Sequence, residues 1–137
     1  MAKSTALLLA LSLSILATAA NAQQLQTHSE GNITYLSGGI GQEERTTIMA
    51  IEGSYNLHLL FTARDTGEYL WGVKVRLTDP SGKSLLDTVS DGPYFLARLP
   101  PGKYTVLVDY SGKPLSQAVD IPRGASVSHS FSWPSAD

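Results

Sequence analysis

The chain has no cysteine among its 137 residues. A disulfide framework is excluded, and so is anchoring through a lipid-modified cysteine. Charge is also sparse and nearly balanced: 10 Lys and Arg against 12 Asp and Glu give a formal net charge of −2. Nucleic-acid-binding domains carry a basic patch or stripe, so no nucleic-acid partner is expected. Histidine is scarce too. His28, His58 and His129 are far apart and no His/Cys pair has metal-ligand spacing, so no metal site and no cofactor is expected.

Before Glu30 the only charged residue is Lys3. Ala6 to Ala17 is an apolar run rich in leucine and broken only by Ser12 and Ser14, and Ala20-Asn21-Ala22 follows it before a polar stretch opens at Gln23. A positive start, a short apolar core and a small-residue end are the three parts of a secretory signal. A membrane span needs roughly 20 predominantly apolar residues, and this run is shorter. The expectation is cleavage after Ala22, a periplasmic or secreted product and no stable membrane anchor afterwards. Removing 22 of 137 residues leaves about 115, and removing Lys3 leaves nine basic against twelve acidic residues, a charge of −3. That length suits one domain.

Gln23 to Gly31 is polar and aperiodic, and Ser37-Gly38-Gly39-Ile40-Gly41 reads as a hinge. Gln42 to Glu52 reads as a short helix: Glu43 and Glu44 sit in its first turn, where the dipole favours negative charge, and Ile48 and Ile51 share a face. From Ser54 the apolar pattern changes to period two, the mark of strands. Tyr55–Phe61, Val73–Leu77, Leu85–Val89, Tyr94–Leu99, Tyr104–Tyr110, Leu115–Ile121 and Val127–Trp133 are separated by turn signals such as Asp79-Pro80-Ser81-Gly82 and Ser111-Gly112. Seven short strands at this spacing predict an all-β, seven-stranded antiparallel β-sandwich with one short N-terminal helix. The expected order is a signal peptide at 1–22, a flexible lead-in at 23–37, a glycine hinge and short helix at 38–53, the sandwich at 54–133 and a tail at 134–137.

Gly67-Glu68-Tyr69-Leu70-Trp71-Gly72-Val73-Lys74-Val75-Arg76-Leu77-Thr78-Asp79, then Asp91-Gly92, then Leu99-Pro100-Pro101-Gly102-Lys103-Tyr104-Thr105-Val106 resembles the carboxypeptidase regulatory-like domain. The resemblance covers about residues 54–133 and implies a transthyretin-like (prealbumin-like) sandwich. Its most specific run, Leu99 to Val106, has a folding sense: the prolines end one strand, the glycine permits the reversal and the tyrosine opens the next strand inward. It implies a fold, not an activity. The sandwich enzyme of similar fold, the hydroxyisourate hydrolase, uses two histidines, an arginine and a C-terminal Tyr-Arg-Gly-Ser. This chain ends Trp133-Pro134-Ser135-Ala136-Asp137, so that activity is not expected.

Other chemistry finds little footing. No Gly-x-Ser-x-Gly elbow occurs. Adjacent Glu43 and Glu44 diverge by about 100° on a helix and make a poor acid/base pair. The Gly38-Gly39-x-Gly41 run lacks the Gly-Lys-Ser/Thr of a phosphate loop. No catalytic residue is assigned. Tyr69 and Trp71, two apart and on one face if extended, are the binding candidates, against a competing reading as core filling. Three functions follow as expectations: a non-catalytic binding or assembly module with a protein partner in the cell envelope, acting through a sheet edge or the Gly38–Glu52 segment; a carbohydrate-binding module using Tyr69 and Trp71; and a hydrolase with an unrecognised site.

Overall fold

The computed structural model describes residues 25–135, so the expected signal peptide, its cleavage point after Ala22 and the last two residues of the tail lie outside the described residues. Two strands come first, β1 (His28–Glu30) and β2 (Ile33–Gly38), then α1 (Gln42–Ile51) and a 3-10 turn at Glu52–Ser54. Seven more strands follow: β3 (Leu57–Ala63), β4 (Lys74–Thr78), β5 (Ser84–Val89), β6 (Tyr94–Arg98), β7 (Gly102–Tyr110), β8 (Lys113–Ile121) and β9 (Val127–Trp133). They form a five-stranded sheet in the order β1-β2-β6-β3-β9 and a four-stranded sheet in the order β5-β4-β7-β8. The described residues form an all-β, sandwich-like fold with one α-helix.

Two expectations are corrected. The described strands number nine, not seven, because β1 and β2 pair within residues 28–38, which were expected to be lead-in and hinge. The sandwich is also not wholly antiparallel: β3 and β9 run parallel from Leu57↔Val127 to Ala63↔Trp133. Parallel neighbours need a long crossover, usually a helix. Here the chain from β4 to β8 supplies it, running through all four strands of the other sheet and returning once for β6, so no second helix is required.

Period-two alternation partitions each strand. Leu57, Leu59 and Phe61 of β3 and Phe95 and Ala97 of β6 face the inner core. Val75, Leu77, Val106 and Val108 meet them from the other sheet. Trp133 is fully buried among Phe61, Phe131 and Tyr110, and its indole N–H donates to the Lys113 carbonyl at 2.9 Å, tying the end of β9 to the start of β8. Burying such side chains is worth roughly 1.5–3 kcal/mol each before entropy is subtracted.

The outer side of the five-stranded sheet carries an apolar patch too. Leu36 of β2 and Leu96 of β6 are buried with Tyr55 against Ile48 of α1, and Leu25, Ile51 and Tyr94 pack around them. The helix is thus a third layer. It presents Ile48, Ile51 and Arg45 inward and leaves Thr46, Met49 and Ala50 exposed. Its seat depends on close approach. A Cβ at Gly92 would overlap the Gly38 backbone, and a Cβ at Gly38 would overlap the Glu44 carboxylate and the Leu25 side chain. The expected hinge is therefore a packed joint, closed by the Gly39 N–H donating to Glu44 Oε1 at 2.8 Å.

Candidate functional site

The expected aromatic pair is split by the structure. Tyr69 bridges Thr62 at the end of β3, which brings its ring 5.9 Å from Tyr94 at a tilt of 49°. The Arg45 guanidinium lies 5.1 Å from the Tyr69 ring centre and also donates to the Gly39 carbonyl at 3.1 Å. Burial, followed by the hydroxyl contact with Tyr69, pushes the Tyr94 phenol up to about 12. Tyr69 thus serves in a buttress that holds α1 to the sheet. Trp71 lies outside that buttress and is 57% exposed, so neither residue fills the core. Arg45 escaped the sequence reading, because a cation over an aromatic ring leaves no local periodic signal.

The histidines occupy three separate places. His58 Nε2 lies 2.8 Å from the Glu52 carbonyl and 2.9 Å from that of Tyr55. Carbonyls only accept, so Nε2 carries the hydrogen and Nδ1 is left facing Ser128 Oγ at 3.4 Å. That separation is long for an O–H to nitrogen hydrogen bond, and the ring's firm contacts go to the turn below α1. His129 meets the Phe131 ring edge-on at 4.5 Å, and His28 stacks on Tyr35 at 5.4 Å. Among the described residues no group of three or more His, Cys, Asp or Glu could hold a metal ion.

The four-stranded sheet has a different outer surface. Val73, Val75, Leu77, Val106 and Val108 point inward, so Lys74, Arg76 and Leu107 point outward. Pairing sets these residues in rows across the strands. One row runs Val89, Lys74, Asp109, Pro114; the next runs Asp87, Arg76, Leu107, Ser116. Arg76 and Asp87 form an exposed ion pair at 3.2 Å, worth little in isolation. Val89 is 53% exposed and Leu107 37%. Around them lies a shallow open depression of about 550 Å³. Sequence periodicity placed Lys74 and Arg76 outward. It could not show Val89 and Leu107 beside them, because cross-strand neighbours depend on register.

Fold and surface together define a class: a β-sandwich roofed by a helix on one outer face and open on the other. No protein-family model matches the chain, and no curated protein matches it.

Proposed function

We propose that the chain is a non-catalytic binding or assembly module of the periplasm or cell exterior that works through protein–protein contacts at the open face of the four-stranded sheet. The observation that carries this reading is the pairing of exposed Val89 and Leu107 with ordered charges of both signs on one sheet surface. Such a surface offers a partner apolar contact together with charges of both signs that can fix its register. Two of the four sheet edges are poorer candidates. The β8 edge carries Pro114, and the Gln117 amide occupies the Ala118 carbonyl at 3.0 Å; β1 is only three residues long. Export rests on the Lys3 to Ala22 pattern, and among the described residues no helix is long and apolar enough to cross a membrane.

The narrower assignment to a carboxypeptidase regulatory-like, transthyretin-like sandwich is part of this proposal. It is supported by the folding role of Leu99 to Val106, where the Tyr104 hydroxyl donates to the Pro100 carbonyl at 2.6 Å across the reversal. Amine-directed crosslinking with mass spectrometry, in the cell that exports the chain, tests the reading. Crosslinks to partner proteins should concentrate on Lys74, and an even spread over Lys83, Lys103 and Lys113 would contradict it. A carbohydrate ligand remains a second reading because Trp71 is exposed. A glycan that quenches tryptophan fluorescence, with the effect lost in Trp71→Ala, would favour it.

A further inference from the structure

The row Val89, Lys74, Asp109, Pro114 reads apolar, cation, anion, apolar across β5, β4, β7 and β8. A two-fold axis lying in the plane of the face, along the strands, reverses strand order and keeps each row in place. Under that rotation β4 of one copy lies over β7 of the other. Lys74 then faces the partner's Asp109, Asp109 faces the partner's Lys74, and Val89 faces the partner's Pro114. In the next row Arg76 lies over the partner's Leu107, and Asp87 over the partner's Ser116. The row beyond sets Thr78 of β4 against the partner's Thr105. Like charges never meet. Aligned sheets pack about 10 Å apart with strands within about 30°, a separation that Lys and Asp side chains can bridge.

We infer that the partner of the open face is a second copy of this chain, docked sheet to sheet about this axis. The inference rests on the open-face reading and names its occupant. Size sets the strength. Four strands about 4.8 Å apart and three side-chain rows about 7 Å apart span roughly 400 Å². A standard interface buries about 800 Å² per partner. The dimer is therefore weak, concentration-dependent and sensitive to salt.

Sedimentation velocity from about 10 μM to about 1 mM, the span of weak dissociation constants, tests it with charge-reversed variants. The sedimentation coefficient of the native protein should rise with concentration, and less so in high salt. Lys74→Glu and Asp109→Lys should each stay monomeric alone, since each sets like charges against one another. An equimolar mixture of the two should dimerise again, because the new glutamate meets the new lysine and the native Lys74 meets the native Asp109. Asp109 also accepts the Gly112 N–H at 2.9 Å in the β7–β8 turn, so Asp109→Lys is checked by circular dichroism. Leu107→Lys, on an exposed site facing the partner's Arg76, gives an independent monomer. A native protein that stays monomeric throughout, single variants that associate like the native chain, or a mixture that fails to pair would each overturn the inference. A monomeric native protein whose Lys74 still crosslinks to some other protein refutes self-pairing and leaves the open-face reading standing.

Discussion

Outward positions on the five-stranded sheet carry Leu36 and Leu96, buried beneath α1; outward positions on the four-stranded sheet carry Lys74, Arg76 and Asp109, with Leu107 and Val89 exposed among them. Both sheets share one core, so the core does not explain the contrast. The outward residues do. The apolar patch on the first face must be covered to be stable in water, and the chain covers it with α1. A mixed face with isolated apolar positions is soluble alone and still offers a docking surface. The roof has structural residues, including Arg45, Tyr69, Tyr94 and the Gly38–Gly92 contact, whereas the open face has pairing residues.

The comparison breaks most visibly under Ile48→Ala. Ile48 has no exposed surface, and its truncation leaves a cavity between helix and sheet, for an expected loss of about 2–5 kcal/mol. Denaturant unfolding measures it; a loss below about 1 kcal/mol would mean the helix is not firmly seated. Gly92→Ala comes next, because the added carbon must displace the Gly38 backbone, an overpacking cost of about 1–3 kcal/mol by the same measurement.

Alkaline stability gives a subtler distinction. The Tyr94 phenol is raised to about 12 in the folded chain against a usual value near 10. Above pH 10 the unfolded chain releases this proton while the folded chain retains it, so stability is complete below pH 10 and falls through about pH 12. Thermal melts across that window should flatten for Tyr94→Phe relative to the native chain, and parallel slopes would remove Tyr94 from the roof. Tyr104, raised by burial alone, adds to the same alkaline loss from the core side. The smallest effect is expected on the open face: Leu107→Ala should change stability by no more than about 0.5 kcal/mol, since its side chain is exposed in the isolated chain.

Much of the sandwich was legible in the sequence. From Leu57 onward, alternation such as Val73, Val75, Leu77 and Tyr104, Val106, Val108 marks inward faces that the structure keeps. The helix was legible from its glycine approach, paired glutamates and the Ile48–Ile51 spacing, and it spans Gln42–Ile51. β1 and β2 were not. His28–Glu30 is wholly exposed, and Ser37 and Gly38 lack the apolar side chains that signal a strand, although Gly38 is small precisely where Gly92 and Glu44 press in. The β3–β9 pairing was hidden because parallel partners distant in sequence share no turn signal. The aromatic candidates were half legible: the spacing of Tyr69 and Trp71 implied one shared face, either core filling or a platform, but only a three-dimensional neighbour such as Arg45 assigns Tyr69 to the roof. The open face was legible only in outward Lys74 and Arg76, since its rows join four strands.

Hydroxyl-radical footprinting at low and high protein concentration compares the two faces in one measurement. Leu107 and Val89 report on the open face, and Met49 on the outer side of the helix. As concentration rises, oxidation of Leu107 and Val89 should fall while that of Met49 stays constant. Protection of Met49 with Leu107 and Val89 unchanged would place the contact surface on the helix and contradict the account.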